Sequence, residues 1–402
     1  MAMKKTPPRV ALIGVSGYGN VYLRWLEGAA QRGELAFAAA TVVNPEQERE
    51  TCSRLEAAGV RIHTCWQSML DQHRGLDLCM IPAPIHLHAA MAVAALESGA
   101  NVLVEKPLAA SVAQARLIQE AERRTGRWVA VGFQDVYAAS TRTISRKLLE
   151  GRIGAIRKIR WLGLWPRPPE YYQRNNWAGR LAIGGVPVRD SPLNNAMAHF
   201  LNLALLWAGA APERYGWPNR VTGELLRHRD IESFDTACVQ IRTDTDVDIR
   251  AAVSHFCARE HAIHLTIHGT EGELNWHHGQ HADLTFPGGH ECYPLEPSHE
   301  AAVGRMFRAV LRKCADPAAP VCTTTHAMPH VAAIEAIHQE LEIQTVSEYA
   351  DPAAANVEAL LKRCLRENRR PSQLGYGPAS AEPPGYQEEK GSKGSHTLFS
   401  NS

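Results

Sequence analysis

Between Arg9 and Phe133 the sequence alternates apolar runs of strand length with helical segments, and this rhythm limits the possible folds more than any other feature. Six runs read as strands: Arg9–Gly14, Leu35–Val43, Val60–His63, Leu76–Pro84, Asn101–Pro107 and Trp128–Phe133. Helical patterns fill Tyr18–Gln31, Pro45–Ala58, His86–Ser98 and Ser111–Thr125. Buried apolar strands that alternate with helices make βαβ units and a parallel sheet. The expectation is an α/β, doubly wound domain over residues 1–134.

A chain of 402 residues is too long for one ordinary core, so a second domain is expected. After Asp135 the pattern changes. A helix at Ala138–Glu150 leads into a long strand at Ala155–Trp165. Further strands fall at Thr236–Arg242, Asp248–Phe256, Ala262–Gly269 and Glu273–Trp276, with hairpin-like spacing. Helices near Ser298–Cys314 and His326–Glu340 follow. This predicts an α+β domain over residues 135–350 with a mostly antiparallel open sheet. Residues 351–402 read as a C-terminal helix and a disordered tail. From Asn368 onward the chain is rich in Pro, Gly, Ser and charge, and cannot bury much apolar surface.

The formal charge of +1 gives no reason to expect nucleic acid or an acidic membrane as partner. No apolar run reaches membrane-spanning length, and MAMKKTPPRV is followed by no apolar signal core. The nine cysteines are scattered, odd in number and form no CxxC pair. Reduced thiols in a cytoplasmic protein are the simplest reading.

Two places carry chemistry. The first strand delivers Gly14-Val15-Ser16-Gly17-Tyr18-Gly19-Asn20 into a helix, so backbone N–H groups and a helix dipole can hold a pyrophosphate. Gly14 and Gly19 match GxGxxG, with Ser16 at the middle position and Gly17 as an extra glycine. At the end of the second strand, where a carboxylate would read the ribose and repel a 2′-phosphate, stands Asn44. The cofactor is therefore NAD or NADP. The second place is Val102–Ser111, VLVEKPLAAS. Glu105 and Lys106 close a buried strand, where charge is costly unless paired or used, and Ser111 can cap the next helix.

With these pieces the chain resembles the Gfo/Idh/MocA family of nicotinamide-dependent sugar and polyol oxidoreductases, over roughly residues 9–345. The glycine turn, Pro84 and His88 in IPAPIHLH, the Glu105-Lys106-Pro107 signature, and HGTEGELNW from His268 to Trp276 carry the resemblance in matching order. It implies an N-terminal Rossmann domain, and a C-terminal domain whose sheet shelters the substrate and makes the contact of a homo-oligomer. Gly14, Ser16, Gly17, Tyr18, Gly19, Asn44, Pro84, His88 and Glu105 are the expected cofactor residues. Family members often carry Asp-x-x-x-His, with a further Asp three residues on. Here Asn195, His199 and Asn202 hold those positions, and Asp190 lies upstream.

Lys106 and His199 are the expected proton-handling pair, with either able to act as base. Asn195 and Trp165 are expected to join them against the substrate. Trp161, Tyr171, Tyr172 and Trp177 fit either sugar stacking or core packing; Arg167 and Arg174 in the same loop can meet a carboxylate. Glu105 fits the fixing of Lys106 or a helix end better than chemistry. The region His261–His281 is rich in histidine, but no Cys or carboxylate spacing supports zinc, and no metal is expected. The leading function is hydride transfer between nicotinamide and a carbinol of a sugar, inositol or related polyol. Alternatives are an NAD-dependent glycoside-cleaving enzyme of the same fold and a non-catalytic nucleotide or sugar sensor.

Overall fold

The apolar runs of the first half form six strands: β1 (Arg9–Ile13), β2 (Ala36–Thr41), β3 (Arg61–His63), β4 (Leu78–Ile81), β5 (Asn101–Val104) and β6 (Val129–Val131). The computed structural model describes residues 6–211, 213–295, 298–347 and 351–377. The strands pair in parallel in the order β3-β2-β1-β4-β5-β6. Residues 78–81 and 102–104 are wholly buried, because helices cover both faces of the sheet. Those helices are α1 (Gly19–Gln31), α2 (Arg49–Ala57), α3 (Trp66–Gln72), α4 (His88–Glu97) and α5 (Val112–Thr125). Ser111 caps α5, its Oγ accepting from the Gln114 amide at 3.2 Å. The strand order reverses between β1 and β4, which opens a crevice at their carboxyl ends.

The second half contains α6 (Ala139–Leu149), β7 (Ile156–Leu164), α7 (Pro169–Gln173), the small hairpin β8 (Ala182–Ile183) and β9 (Val186–Pro187), and α8 (Ala198–Trp207). Then come β10 (Pro218–Arg227), β11 (Thr236–Thr243), β12 (Asp248–Ser254), β13 (His261–Gly269), β14 (Glu273–His277), β15 (His281–Phe286) and β16 (Gly289–Pro294). The described chain closes with α9 (His299–Ala315), α10 (Thr324–Glu340), β17 (Ile343–Thr345), α11 (Pro352–Ala355) and α12 (Val357–Glu367). Nine strands make one sheet, β16-β15-β14-β13-β7-β12-β11-β10-β17. Only β7–β12 and β10–β17 are parallel, so the sheet is mostly antiparallel. On β13, Ile263, Leu265 and Ile267 point into the core, while His264 and His268 point away. All ten residues of α8 are buried, so it packs on every side rather than along one face.

Several readings needed correction. The helix expected from Pro45 begins at Arg49, because Pro45–Glu48 form a turn in which the Gln47 and Glu48 amides donate to Asn44 O. Short α3 and strands β10, β15, β16 and β17 were not anticipated. β10 carries an internal Gly and mixed polarity, and β16 is polar on both faces. The tail was expected to be disordered from Asn368, yet within Asn368–Gly377 Pro371 is buried and two side chains tie the segment to the second domain. The Ser372 amide donates to Glu224 Oε2 at 2.9 Å, and Tyr376 Oη lies 2.9 Å from His228 Nε2. The rest of that expectation, residues 378–402, lies outside the described residues. The open sheet is also less open than expected, since α12 lies on its outer face over Leu164, Ala252 and Phe256.

The two cores do not follow chain order. Val303, Met306, Phe307 and Val310 of α9 join the core of the first domain. Phe307 packs edge-on against Tyr22, 4.7 Å between ring centres, and tilted against Trp25 at 4.5 Å. Farther along, Ala333, Ile334 and Ile337 of α10 join the core of the second domain.

Candidate active site

The crevice at the carboxyl ends of the parallel strands widens into one cavity of about 1290 Å³, walled by both domains. One end is the glycine turn. Gly14 and Gly17 have φ of +97° and +59°, a region that favours glycine, and a Cβ on either would meet open space. A Cβ at Gly19 would lie 2.5 Å from Gly14 O, so this glycine serves the closeness of the turn. Among the described residues, the amides of Ser16, Gly17 and Tyr18 have no backbone acceptor. Orphan N–H groups over open space at the start of α1 fit a pyrophosphate. Gly14, Ser16, Gly17, Tyr18, Asn44, Pro84 and Glu105 line the cavity; Gly19 does not.

His88 was expected beside the cofactor and is not there. Its ring is fully buried, with Nδ1 2.8 Å from Pro107 O and Nε2 2.8 Å from Ala83 O. Burial pushes its pKa down to about 4, so the neutral ring donates to one carbonyl and braces the loop after β5. Arg49, the residue nearest for a 2′-phosphate in sequence, is an exposed partner of Glu46. Ser16 instead donates to Glu48 Oε1 at 2.6 Å, a carboxylate that the sequence did not single out.

The far end of the cavity gathers Lys106, Asn195, His199 and Trp165. Lys106 leaves the end of β5, and its Nζ donates to Asn195 O at 2.8 Å and Asn195 Oδ1 at 3.2 Å. Asn195 Nδ2 donates to Asp190 Oδ1 at 2.8 Å, and Asp190 Oδ2 accepts from the Gly179 amide at 2.7 Å. Asp190 therefore does reach the site, one side chain behind the amide. Desolvation raises the pKa of Asp190 and lowers that of Lys106. Glu105 is buried, accepting from Tyr22 Oη at 2.7 Å and the Lys106 amide at 3.0 Å, and burial raises its pKa. It anchors the strand end.

His199 sits in the first turn of α8, with Nδ1 3.5 Å from Asp135 Oδ2. At that distance the pair interacts electrostatically rather than through a full hydrogen bond. Burial holds the ring far below the usual imidazole range, and nearby Lys106 pushes the same way. Asn202, one turn along, is fully buried, and among the described residues neither amide atom has a hydrogen-bond partner. Sequence reasoning missed Gln134, Asp135, His278 and His299, which also line the cavity. Asp135 directly follows the β6 region, so the rule that singled out Lys106 at the end of β5 applied equally there. His299 lies 3.1 Å from Tyr18 Oη, a contact between residues distant in sequence that no local pattern announces.

The histidine-rich hairpin does have a carboxylate nearby. His277, His281 and Asp283 each bring one ligand atom within 4.8 Å of the others. Asp283 also lies 3.0 Å from His281 and 3.1 Å from His290, so neighbouring ring nitrogens already engage its oxygens. Among the described residues no helix is long and apolar enough to cross a membrane.

Known proteins match this arrangement. Residues 8–133 match the model of the oxidoreductase family with an NAD-binding Rossmann fold, and residues 141–275 match the GFO/IDH/MocA C-terminal domain. An inositol 2-dehydrogenase of Streptomyces avermitilis is 33% identical over 146 residues, which is 36% of this chain and 41% of the relative. A dTDP-3,4-didehydro-2,6-dideoxy-alpha-D-glucose 3-reductase of Streptomyces violaceoruber is 25% identical over 276 residues, 66% of this chain and 72% of that one. The chain thus spans less than half of the first relative and about three quarters of the second. In fold it is similar to the WlbA dehydrogenase of Chromobacterium violaceum, solved with NADH and UDP-GlcNAcA. That likeness has a TM-score of 0.68 and 21% identity, covering 84% of this chain and 94% of the other. The two family models together take in well over half of the sequence, with the glycine turn and Lys106 in the first and His199 in the second; the chain belongs to the Gfo/Idh/MocA family of oxidoreductases, and its first domain is that family's NAD-binding Rossmann domain.

Proposed function

We propose that this protein transfers a hydride between NAD(P) and a carbinol carbon of a sugar, an inositol or a related polyol. One observation carries the reading: Lys106, Asn195 and His199, from two domains, meet in the cavity that also holds the glycine turn. The names of the inositol and deoxysugar enzymes among its relatives support the same substrate class. The nicotinamide, when bound, supplies the hydride chemistry.

The residues handle the proton. Lys106 Nζ, now on the Asn195 oxygens, can donate to a substrate oxygen and stabilise alkoxide character. Burial has already lowered its pKa, so its proton leaves more readily than from an exposed lysine. His199 is neutral in the resting protein and can take the hydroxyl proton, while Asp135 beside Nδ1 stabilises the resulting imidazolium. Asp190 holds the Asn195 amide and favours the charged form of Lys106. Trp165 and Phe200, 5.6 Å apart and edge to face, form an apolar wall that excludes water. The part of the nine-stranded sheet left bare by α12 is the surface we assign to subunit contact.

The test is reduction of NAD and NADP on a panel of polyols, inositols and sugars. Net cofactor turnover on at least one, abolished in Lys106→Ala, is the expected result. Cofactor binding with no turnover on any member would favour a sensor. Sugar cleavage without net cofactor change would favour the glycoside-cleaving alternative.

A further inference from the structure

The loop between β7 and α8 carries four arginines, and the structure divides them in two. Arg180 and Arg189 lie away from the cavity and are paired, with Glu232 at 2.5 Å and Glu335 at 3.0 Å. Arg167 and Arg174 line the cavity, and neither has a carboxylate within salt-bridge distance among the described residues. Arg167 Nε is buried with no hydrogen-bond partner. Arg167 is part-buried, and a buried N–H left without an acceptor is costly unless a ligand supplies one.

Their setting is built. Arg167 and Arg174 stack on the one Tyr171 ring, with Cζ 5.0 Å and 3.5 Å from its centre. Arg167 Nη1 donates to Pro166 O at 3.2 Å and Arg174 Nη1 to Tyr171 O at 2.5 Å, and the other N–H groups can make in-plane bonds to a carboxylate or phosphate. The loop backbone is fixed where it passes them. The Trp165 amide donates to Ser254 O at 3.1 Å and the Arg167 amide to His255 O at 3.0 Å, which extends the β7–β12 pairing beyond the strands. His255 Nδ1 lies 2.7 Å from Trp165 O and keeps that extension in place. Arg174 acts at a distance on Asp190, whose two oxygens are engaged by Gly179 and Asn195.

We propose that Arg167 and Arg174 form an anion clamp, and that the substrate is a sugar bearing a carboxylate or a phosphate rather than a neutral polyol. The inference rests on the reading of this cavity as a sugar site. The clamp fixes the charged end of the molecule while its carbinol lies at Lys106 and His199. This is a binding function, so it can be read without turnover.

The experiment is calorimetry on the full chain loaded with NADH, using glucuronate, glucose 1-phosphate and neutral glucose as probes. At least one anion should bind ten-fold or more tighter than glucose. The double variant Arg167→Gln/Arg174→Gln should weaken that anion by 10- to 100-fold and leave NADH affinity unchanged. Arg174→Lys should fall between, because it keeps the charge and loses the fork. Arg180→Gln, outside the cavity, should bind like the parent. Preference for glucuronate assigns a sugar acid, and preference for glucose 1-phosphate assigns a phosphorylated or nucleotide-linked sugar. Equal binding of glucose and both anions, or full anion affinity in the double variant, would overturn the clamp. Turnover of neutral polyols with no anion preference would overturn it too, while leaving the oxidoreductase reading intact. Anion binding lost in the variant but no turnover on any sugar would do the reverse.

Discussion

The two ends of the cavity are made of different material. At the cofactor end, one short turn of backbone offers the N–H groups, and a side chain is absent at Gly14, Gly17 and Gly19. At the substrate end, side chains arrive from β5, the residues after β6, the β7–α8 loop, α8 and the start of α9. A backbone site is a local pattern, because a run of glycines and a helix start are neighbours in sequence. A side-chain site exists only once the chain has folded, and its geometry can drift while its elements persist. The amide at Asn195 illustrates this. The carboxylate is gone from its usual place, and Asp190 stands behind the amide instead.

If the two ends are as separable as their construction implies, substitutions should separate them as well. The largest effect is expected at the proton-handling residues. Lys106→Ala or His199→Ala should lower turnover by about two to four orders of magnitude while cofactor affinity hardly moves, as read by steady-state kinetics and calorimetry. A matching loss of cofactor affinity would break the division. Gly17→Val should do the opposite, weakening NAD(P) binding at least ten-fold, because a β-branched side chain disfavours a φ of +59° and would stand in the cradle.

Stability against acid should depend on rings buried behind the cavity walls. His88, behind the loop after β5, and His255, behind the substrate loop, are each pushed down to about 4 by burial. In the unfolded chain these rings take a proton near ~6.5; the folded protein refuses it until about pH 4. The unfolded state therefore binds more protons across that interval, and stability falls as the pH is lowered through it. Glu105 and Asp190, raised by burial, act in the opposite direction. Thermal melts from pH 7 to pH 4 should show the decline, and His255→Gln should make it shallower.

Smaller effects test the edges. Removing residues 378–402 should leave turnover and melting temperature unchanged. Cutting after Glu367 should cost about 1–3 kcal/mol, since it strips Ser372 from buried Glu224 and Tyr376 from His228. Asn44→Asp should shift preference toward NAD by a few-fold in relative Kd; an unchanged ratio would remove Asn44 from the ribose site.

The sequence made the parallel sheet legible, since its strands are buried on both faces and bounded by clear turns. It also made the glycine turn and Lys106 legible, because each lies at a predictable strand end. His88 misled, because a histidine within a matching segment looks the same whether its ring faces the cavity or two carbonyls. β10 and β16 escaped because edge-region strands with mixed polarity carry little periodic signal. Asp135 was within reach of the strand-end rule that found Lys106, whereas His278 and His299 escaped because nothing local distinguishes a cavity residue from any other polar residue after a strand or before a helix.

The packing of α9 has a consequence for how the protein is made. When a ribosome has delivered the sixth strand, Tyr22 and Trp25 still lack Phe307, which lies far downstream. The nascent nucleotide-binding half must wait with an apolar face uncovered while eight of the nine strands of the second sheet are synthesised. Fragments ending near residue 134 should aggregate on expression, and the helix at 299–315 supplied in trans should rescue them. The first half to emerge is thus completed only after most of the second has been made.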